Sequence, residues 1–512
     1  MSSFLPDALS FFRGTAMTTS NEFERLSGKL FIDGQTIDGA SPDEIEVASP
    51  VTEERLCGLA GATADEVERC INIANERQRV WAAESSLDRT KVLHKIASAF
   101  EENVPHLGEM MTREMGKPIK EACDEVGWTV TAFRYFAEIA RHEYGRVHGP
   151  VVANHLNYSY REPLGVAVII LPYNYPAVLM AWSMAAALAT GNTVIVKPSE
   201  YASITTLRMA EVVEAVAPGL VQVVTGSVPT VQALVKSPNT HIVSFTGSVN
   251  GARAINEMCA SQFKRCLLEA SGSDPFIVMP SCDMEFAVRA ATFASFMNCG
   301  QICTSTERMY VHESIYTEFV ERLAVGASGL RIGDGMEQTT DVGPMANRRE
   351  VERVAEVVKT AVSEGAELVA GGARPDGFER GWFYRPTVLA NASHQMSIMR
   401  NEIFGPAVAV TKVSSLDEAI RLANDSPLAL GSNVYSQDLA EVHESIRRLE
   451  SGMVWVNAPL FDNDAGPFGG NKSTGGGRVL GIDGLHSFTK NKLAWIDPDP
   501  KSGPIPDWWF PY

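Results

Sequence analysis

Apolar runs of strand length alternate with helix-length segments from residue 165 onward. The runs are 165–171, 193–196, 221–224 and 241–245, and the segments between them are 177–190, 203–216 and 229–236. Strands that are apolar on both faces are typical of a parallel sheet covered by helices on both sides. Such sheets bind their ligands at the carboxyl ends of the strands, so we expect the chemistry to lie there.

The chain before this region divides into short strands and a helical layer. Residues 28–60 carry short apolar stretches separated by Gly, Pro and Asp turns, which predicts strands. Thr63 is followed three residues later by Glu66, the spacing of a capping box, so a helix should begin there. Residues 87–144 repeat apolar side chains every three or four positions, as amphipathic helices do.

A second alternating region covers about 274–460. Its runs of strand length are 275–279, 308–311, 407–411 and 452–456, and its clearest helical segment is 313–328. Residues 147–162 read as a strand excursion matched by a late strand at 493–496. The pattern therefore predicts an α/β protein with two doubly wound, Rossmann-like domains and a small β excursion.

Length and charge narrow the possible functions. At 512 residues the chain is long enough for two or three domains. It is 45% hydrophobic and 21% charged, as globular proteins are, and has no apolar run of membrane-spanning length. The net charge of −18 argues against a nucleic-acid or acidic-membrane partner, because such a surface repels phosphate.

The cysteines and histidines argue against disulfides and metals. Eight cysteines form no CxxC pair and no disulfide framework, which favours a reducing compartment, and we expect a cytoplasmic protein. Ten scattered histidines without an HxxxH pair predict no metal site. Residues 1–16 lack the apolar stretch of a secretory signal, and Met17 is an alternative start to Met1.

Cys303 is the candidate nucleophile. Alone, a cysteine in an apolar run of small residues is more often an inert, buried thiol. Upstream, however, Glu269 is a lone acid at the end of an apolar run. A thiolate attacks a carbonyl carbon, and the thioester so formed needs a base to activate water. The two residues are therefore a minimal acyl-transfer pair.

Seven short motifs follow one another along the chain. They are Leu171-Pro-Tyr-Asn-Tyr-Pro176, Val196-Lys-Pro-Ser-Glu200, Phe245-Thr-Gly-Ser248, Leu268-Glu269, Gly300-Gln-Ile-Cys303, Glu402-Ile-Phe-Gly-Pro406 and Pro467-Phe-Gly-Gly470. In this order they resemble the motifs of the aldehyde dehydrogenase superfamily, over about residues 27 to 495. Seven motifs in order are a specific signal, whereas any one alone would be weak.

The resemblance implies a division into domains. Residues 27–146 and 164–272 would form a cofactor-binding domain, and residues 273–472 a catalytic domain. Residues 147–163 and 488–512 would form oligomerisation or bridging segments of a homodimer or homotetramer. Residues 1–26 would be an N-terminal extension.

By the same resemblance, three side chains would oxidise a small aldehyde to a carboxylic acid. Cys303 would attack the aldehyde, forming a thiohemiacetal and then a thioester. Asn174 and the backbone N–H of Cys303 would hold the oxyanion, and losing such a donor typically costs ~3–4 kcal/mol of barrier. Glu269 would activate the water that hydrolyses the thioester, which favours a free acid product.

The resemblance also assigns both ribose sites of the cofactor. Lys197 and Glu200 would hold the adenosine ribose. Because the Glu200 carboxylate would repel a 2′-phosphate, NAD is expected, with NADP as the alternative. Glu402 would bind the nicotinamide ribose, and Phe404 would flank the ring.

The pyrophosphate is assigned to two turns that open helices. Gly226 is one candidate, and Thr246, Gly247 and Ser248 form the other, because helix N-termini present free N–H groups to phosphate. The sequence departs here from the Gly-x-Gly-x-x-x-Gly of many members, since Val228 follows where a second glycine is usual. The phosphate contacts are thus less firmly assigned than the ribose contacts.

Two further positions depart from the pattern of many hydrolytic members. Ser183 follows Trp182 where a Lys is usual, and Val479 follows Arg478 where a Glu is usual. Losing both avoids one unpaired buried charge. We therefore expect protons to leave Glu269 through water or backbone.

The substrate tunnel is expected to include Trp182, Phe296, Phe461 and Trp128. The signs for the natural aldehyde disagree. The run 269–275 resembles that of succinate semialdehyde dehydrogenases, but the loop carrying Phe461 is acidic and lacks the basic residue that a carboxylate substrate needs.

Two alternatives stay open. A CoA-acylating or phosphorylating dehydrogenase would use the same cysteine with another acyl acceptor. A non-catalytic structural protein could share the fold, since function belongs to the site and not to the fold. The intact Cys303, Glu269 and Asn174 argue against this second alternative.

Overall fold

A computed structural model of the protein describes residues 19–42, 44–142 and 145–499. The choice between Met1 and Met17, the extension before residue 19 and the tail after residue 499 lie outside this part. The strands are β1 (Lys29–Ile32), β2 (Gln35–Asp38), β3 (Glu44–Ala48), β4 (Arg55–Ala60), β5 (Gly145–His148), β6 (Leu156–Pro163), β7 (Val166–Ile170), β8 (Thr193–Lys197), β9 (Val221–Val223), β10 (Ile242–Gly247), β11 (Arg265–Ala270), β12 (Pro275–Val278), β13 (Arg308–His312), β14 (Glu367–Ala370), β15 (Thr387–Ala390), β16 (Ala407–Val413), β17 (Leu428–Ala429), β18 (Asn433–Tyr435), β19 (Trp455–Val456), β20 (Asn471–Lys472), β21 (Gly475–Gly476) and β22 (Thr489–Ile496).

The helices are α1 (Thr19–Leu26), α2 (Ala64–Ala83), α3 (Ser86–Glu102), α4 (Val104–Met115), α5 (Ile119–Ile139), α6 (Pro176–Ala189), α7 (Ser203–Glu214), α8 (Val228–Lys236), α9 (Val249–Ala260), α10 (Met284–Phe296), α11 (Tyr316–Ser328), α12 (Arg348–Ser363), α13 (Leu416–Asn424), α14 (Leu439–Arg448) and α15 (Gly481–Ser487). Short 3₁₀ turns span Glu200–Ala202, Met297–Gly300 and Ser397–Met399.

The first domain is built on an eight-stranded sheet in the order β2-β1-β9-β8-β7-β10-β11-β21. Its five central strands are parallel, as the apolar runs predicted, while β1, β2 and β21 add antiparallel pairs at the two edges. Val166 and Val168 of β7 pack into one core, and Ala167 and Ile169 into another. Helices therefore cover both faces of this strand, which explains why it is apolar throughout.

The order of this sheet reverses beside β7. The chain continues from β7 to β8 and β9 on one side, then returns to β10 and β11 on the other. A reversal of this kind opens a crevice outside the carboxyl ends of the strands, where α/β sheets bind ligands.

The predicted helical layer is present as α3, α4 and α5, and the segments between the strands form α6, α7 and α8. The capping box before α2 is also confirmed. The Thr63 hydroxyl accepts a hydrogen bond from Glu66 N, and the Glu66 carboxylate accepts one from Thr63 N.

The second domain contains a seven-stranded sheet in the order β14-β15-β16-β13-β12-β18-β19. All seven strands lie within the segment 273–472 expected to form the catalytic domain. The strand predicted at 452–456 shortens to β19, because the N–H groups of Gly452 and Met453 bond to the carbonyl of Leu430 before the regular ladder begins. The helix expected from 313 begins at Tyr316.

The excursion forms a separate three-stranded sheet in the order β22-β6-β5. The late strand is twice as long as predicted and pairs with β6 from Thr489 opposite Pro163 to Ile496 opposite Leu156. All four residues of the edge strand β5 are exposed.

Two elements lie across the expected domain boundaries. α1 falls within the expected extension 1–26, but Phe23 and Leu26 are buried in a core that also contains residues of the first sheet. After residue 472 the chain returns to the first sheet, where β21 pairs with the end of β11.

Candidate active site

The carboxyl ends of the five parallel strands bring the predicted first-domain residues into one row. In sheet order these residues lie at or just beyond the ends of β9 (Gly226), β8 (Lys197 and Glu200), β7 (Asn174), β10 (Thr246, Gly247 and Ser248) and β11 (Glu269). Cys303, Glu402 and Phe404 face this row from the second domain.

A cavity of about 360 Å³ brings most of these residues together. Its lining includes Asn174, Thr246, Gly247, Ser248, Glu269, Cys303, Glu402 and Phe404. Lys197, Glu200 and Gly226 lie further along the same sheet edge. The structure thus places the catalytic candidates at one end of the row and the adenosine-ribose candidates toward the other.

The segment before Cys303 has an unusual backbone. α10 ends at Phe296, and Asn298, Cys299 and Gly300 then adopt left-handed φ angles of 49°, 56° and 70°. A Cβ atom on Gly300 would lie 2.2 Å from the carbonyl oxygen of Gly405, so only glycine fits there. Left-handed conformations cost other residues ~1–2 kcal/mol each, so this segment must be held by its surroundings.

Two side chains, Glu121 and Gln301, hold this segment. Asn298 N donates to the Glu121 carboxylate at 2.9 Å. The side-chain amide of Gln301 donates to Asn298 O at 3.0 Å and accepts from Ala346 N at 3.0 Å. The backbone that presents Cys303 is therefore fixed before any substrate binds.

Asn174 is positioned by a buried ion pair. Lys117 and Glu125 form a salt bridge with no exposed side-chain surface. Lys117 Nζ donates to Asn174 O at 2.7 Å, while Glu125 accepts from Ala177 N at 2.8 Å at the start of α6. This pair joins α4 and α5 to the turn that carries Asn174.

Asn174 and Cys303 present two donors to the same space. One N–H of the Asn174 amide donates to Gln301 O at 3.0 Å, which leaves the second N–H available. Among the described residues, the backbone N–H of Cys303 has no hydrogen-bond acceptor. Two such donors are what a developing oxyanion requires.

Glu269 lies beside Thr246 in the parallel register of β10 and β11, and its Oε1 atom has no hydrogen-bond partner in the described part of the chain. Burial raises the pKa of its carboxyl group. Burial and the neighbouring Glu269 carboxylate together raise the pKa of the Cys303 thiol well above its usual value. Without a ligand, the thiol is therefore held in its protonated form.

Ser183 and Val479, which stand where many hydrolytic members carry a Lys and a Glu, lie in the surroundings of Glu269 as follows. The hydroxyls of Ser183 and Ser244 lie 2.8 Å apart in the buried interface between α6 and β10. A cavity of about 20 Å³ touches Ser244, Glu269 and Val479, enough for about one water molecule. The expectation that protons leave Glu269 through water stays a prediction.

The substrate side of Cys303 is a narrow pocket of about 60 Å³. Trp128 and Trp182 line it, as predicted, together with Tyr175, Phe468 and Asp462. Trp128 stacks on Tyr175 with ring centroids 6.4 Å apart, and Trp182 lies 4.7 Å from Phe468. Four aromatic rings therefore share the pocket wall with aliphatic side chains.

Two predicted tunnel residues do not line this pocket. Phe296 packs into the core of the second domain and, with Trp128, lines an adjoining cavity of about 550 Å³, while the next residue, Met297, lines the pocket itself. Phe461 is 52% exposed, while its neighbours Leu460 and Asp462 line the pocket. Successive side chains point in different directions, about 100° apart on a helix and to opposite sides of an extended chain, so an error of one residue removes a side chain from the wall.

The row fits a dinucleotide. Lys197 is 7% exposed, and its ammonium has no hydrogen-bond acceptor among the described residues. Because an unpaired buried cation is costly, the site suits a ligand that supplies oxygen atoms. Ser248 caps α9 by accepting from Gly251 N at 3.2 Å, and this helix directs its N-terminus toward the cavity that Ser248 lines.

Within 19–42, 44–142 and 145–499, no three His, Cys, Asp or Glu side chains are arranged to hold a metal ion. In the same residues, no helix combines the length and apolarity needed to cross a bilayer.

A buried thiol, two available N–H donors and a buried acid meet at the carboxyl ends of a parallel sheet, an arrangement that suits the chemistry of a cysteine-dependent oxidoreductase. The chain belongs to the aldehyde dehydrogenase family, whose sequence model, described as "Aldehyde dehydrogenase family", matches residues 36–494. The protein is thus an enzyme that oxidises an aldehyde to a carboxylic acid, and the predicted α/β fold is confirmed.

Named relatives share nearly the whole chain. The chloroplastic betaine aldehyde dehydrogenase of Beta vulgaris is 36% identical over 484 residues, which cover 92% of this chain and 96% of the relative. The peroxisomal aminoaldehyde dehydrogenase 1 of Malus domestica is 34% identical, over 92% and 96% of the two chains. The structure of an aldehyde dehydrogenase from Bacillus cereus in complex with NAD⁺ is similar with a TM-score of 0.91 at 32% identity, covering 94% and 99% of the chains.

Sequence reasoning missed several residues of the site. Tyr175 and Phe468 stand inside motifs that were recognised, so those motifs could have identified them. Asp462 was noted only for its charge. Glu121 in α5 and Lys117 in the turn before it gave no signal, because a single charged residue in a helix or a turn is ordinarily solvated.

The buried carboxyl of Asp274 yields a pH prediction. Asp274 is 1% exposed, accepts from Gly431 N at 2.9 Å, and leaves Oδ2 without a partner among the described residues. Burial raises its pKa to about 7. The folded state therefore binds this proton more tightly than the unfolded state, so its contribution to stability falls as pH rises from about 4 to about 7 and is constant above.

The Asp274→Asn variant cannot ionise at this position, so it does not lose stability as the pH rises. The melting temperature of the variant minus that of the unsubstituted protein should therefore increase between pH 5 and pH 8. We expect the difference to grow by roughly 2–4 °C. Scanning calorimetry of both proteins without ligands at matched ionic strength would measure it. A difference that stayed constant or shrank would contradict the raised pKa.

Proposed function

We propose that this enzyme uses NAD to oxidise aldehydes carrying a positively charged ammonium group, and that it releases the free acid. The observation that carries the substrate class is the pocket wall, where the carboxylate of Asp462 accompanies the rings of Trp128, Trp182 and Phe468. Among the described lining residues there is no Lys or Arg. Ring faces and a carboxylate attract a cation and offer nothing to a carboxylate substrate.

The relatives agree with this substrate class. Two of them are named for betaine aldehyde and for aminoaldehydes, which carry a quaternary ammonium and an amine, respectively. A semialdehyde whose other end is a carboxylate is disfavoured, because the described residues that line the pocket include no basic side chain to bind that carboxylate.

In the proposed reaction, Cys303 attacks the aldehyde carbon as a thiolate, and the Asn174 amide and the Cys303 N–H hold the oxyanion. NAD, when bound, supplies the acceptor for the hydride that leaves this carbon. Glu269 then activates a water molecule that hydrolyses the thioester. Its buried carboxylate suits this role, since burial raises its basicity.

The cofactor would lie along the row of strand ends. Lys197 and Glu200 would bind the adenosine ribose, and the Glu200 carboxylate disfavours a 2′-phosphate. Ser248 and the start of α9 would face the pyrophosphate. Glu402 and Phe404, both in the wall of the large cavity, would hold the nicotinamide end.

The Glu269→Gln variant tests whether Glu269 activates the water that hydrolyses the thioester, a step that a CoA-acylating dehydrogenase does not need. The first half-reaction should persist, because removing the carboxylate relieves one cause of the raised thiol pKa. We expect a burst of about one NADH per site followed by turnover reduced ~10²–10⁴-fold, the range for loss of a general base. Stopped-flow absorbance would record the burst, and mass spectrometry would detect the acyl group on Cys303.

Full steady-state turnover of Glu269→Gln in water would refute the assigned base. Rapid turnover of the natural enzyme only with CoA or phosphate present would instead favour the acyl-transfer alternative. The unsubstituted enzyme in water is the reference for both comparisons.

Charge recognition can be tested with a matched pair of aldehydes. Betaine aldehyde and 3,3-dimethylbutanal have nearly the same shape but differ by replacement of the cationic nitrogen with carbon. We expect kcat/KM to favour the cation by about tenfold or more, as ~1–2 kcal/mol of cation–π and carboxylate attraction implies. Asp462→Asn should reduce this preference while leaving the neutral aldehyde nearly unaffected. Equal kcat/KM values for the two aldehydes would exclude the proposed class.

We also propose a homodimer or homotetramer that assembles through the three-stranded sheet, in a reducing compartment such as the cytoplasm. Val147, Leu493 and Trp495 on that sheet are 77%, 60% and 53% exposed, and β5 is an open edge strand. Exposed apolar groups beside an unpaired edge suit strand pairing with a second copy. All eight cysteines are free thiols, which fits reducing conditions.

Light scattering coupled to size exclusion should give two or four times the mass of the chain. Leu493→Lys places a charge in the exposed sheet and should shift the population toward smaller species. Val325→Lys, on a surface helix at a residue 74% exposed, is the matched control and should leave the mass unchanged. A natural protein that stays monomeric at micromolar concentration would overturn the proposed assembly.

A further inference from the structure

We propose that Glu307 is a positioning residue that holds the turn 402–404 in place and thereby sets the affinity for the nicotinamide end of the cofactor. This inference rests on the proposed NAD dependence. It concerns a side chain that does not itself line the cavity, and it follows from the hydrogen bonds around the turn.

Both carboxylate oxygens of Glu307 serve the turn. Ile403 N donates to Oε2 at 2.7 Å, and Phe404 N donates to Oε1 at 2.6 Å. Glu307 is 1% exposed, so these bonds are shielded from water. A buried carboxyl group is tolerated only where its oxygens make hydrogen bonds, and the two backbone N–H groups of the turn supply those bonds here.

A second side chain holds the opposite edge of the turn. The Arg353 guanidinium donates to Ile403 O at 2.6 Å and to Phe404 O at 3.5 Å, and its Nε pairs with Glu350 at 2.7 Å. The Glu307 carboxyl group thus binds the N–H groups of Ile403 and Phe404, and the Arg353 guanidinium binds their carbonyl groups. The two side chains bind different backbone groups, so neither can replace the other.

The turn needs this support because its conformation is unfavourable. Phe404 has a φ of 46°, in the left-handed region that a bulky aromatic residue avoids. The N–H that Glu307 binds belongs to this same residue. Without the carboxylate, the Phe404 backbone can relax toward the ordinary region, and its ring and the Glu402 side chain would leave the cavity wall.

Glu307 also connects this turn to the nucleophile. It directly precedes β13 and lies four positions after Cys303 in the chain. Glu402 in turn accepts from Gly272 N at 3.2 Å, close behind the base Glu269. The segment 303–307 thus carries the thiol of Cys303 at one end and, at the other end, the Glu307 carboxyl group that binds the turn 402–404.

The charges around Glu307 show why its replacement is informative. Burial and the neighbouring Glu402 carboxylate raise the pKa of Glu307, and burial together with the Glu269 carboxylate raises the pKa of Glu402. Removing one charge would, by electrostatics alone, ease the ionisation of its neighbour. The experiment must therefore distinguish a change in NAD affinity caused by removal of the Glu307 charge from a change caused by movement of the turn 402–404.

Glu307→Gln keeps one acceptor oxygen but turns an NH₂ group toward the other backbone N–H. We expect the Kd and KM for NAD to rise at least about tenfold, since a strong bond is lost and a buried donor is left unpaired, while the aldehyde KM stays within about twofold. Calorimetric titration with NAD and steady-state kinetics at saturating partner substrate would measure the two constants.

Asp274→Asn is the control for charge. It removes an acid from the same buried region, but its carboxylate bonds to Gly431 N and not to the turn. We expect the Kd for NAD to stay within about twofold in this variant. If Glu307→Gln fails to fold, Glu307→Asp provides the test, because it keeps both oxygens but shortens their reach, and it should raise the Kd at least about threefold.

A Kd for NAD that is unchanged in the Glu307 variant, or that rises equally in Asp274→Asn, would overturn the positioning role. An equal rise in the aldehyde KM would also overturn it, since that would mark a general loss of structure. Failure of the unsubstituted enzyme to bind NAD at all would instead refute the proposed function, so the two failures are distinguishable.

Discussion

Buried carboxylates that accept backbone N–H bonds are the interactions on which this active site depends. Glu125 accepts from Ala177 N and Val178 N at the start of α6, and Glu121 accepts from Asn298 N before the nucleophile. Glu114 binds Ile204 N and Thr205 N at the start of α7, which follows the turn of Glu200. The segments that carry the candidate site residues contain backbone N–H groups with no acceptor in a helix or a sheet. Carboxyl groups from α4 and α5 accept the hydrogen bonds of these N–H groups.

This arrangement explains why an acidic interior can coexist with a nucleophilic thiol. Burial raises the pKa values of Glu121 and Asp274 to about 7, and that of Glu269 rises as well. A carboxyl group with a pKa near 7 is only about half ionised at neutral pH, so the interior carries less negative charge than its number of acids suggests. A pocket wall of aromatic rings with a carboxylate at Asp462 extends the same preference for cations to the substrate side.

The sequence predicted the frame of the fold better than its details. The runs that became β7, β8 and β10 are apolar because two cores contact them, a pattern visible without coordinates. Cys303, Asn174 and Glu269 were recognisable from their motifs. Phe296 and Phe461 do not line the pocket beside Cys303, since the direction of a side chain at the end of a helix or in a loop depends on backbone angles that composition does not reveal.

The acids around the site escaped prediction for a related reason. Glu307, Glu121 and Glu125 act on backbone groups that are distant along the chain, and an acid in a helix or before a strand has many unremarkable explanations. The short strand β21 was also missed. Two glycines give no hydrophobic pattern, and only the tertiary fold brings Gly475 opposite Glu269.

That pairing has a consequence for how the molecule can be divided. The chain leaves the first sheet after β11, builds the entire second sheet, and then comes back so that β21 completes the edge beside Glu269. The first sheet is therefore complete only when the segment after the second sheet is present. A fragment ending before residue 475 would leave the strand that carries Glu269 with an open edge.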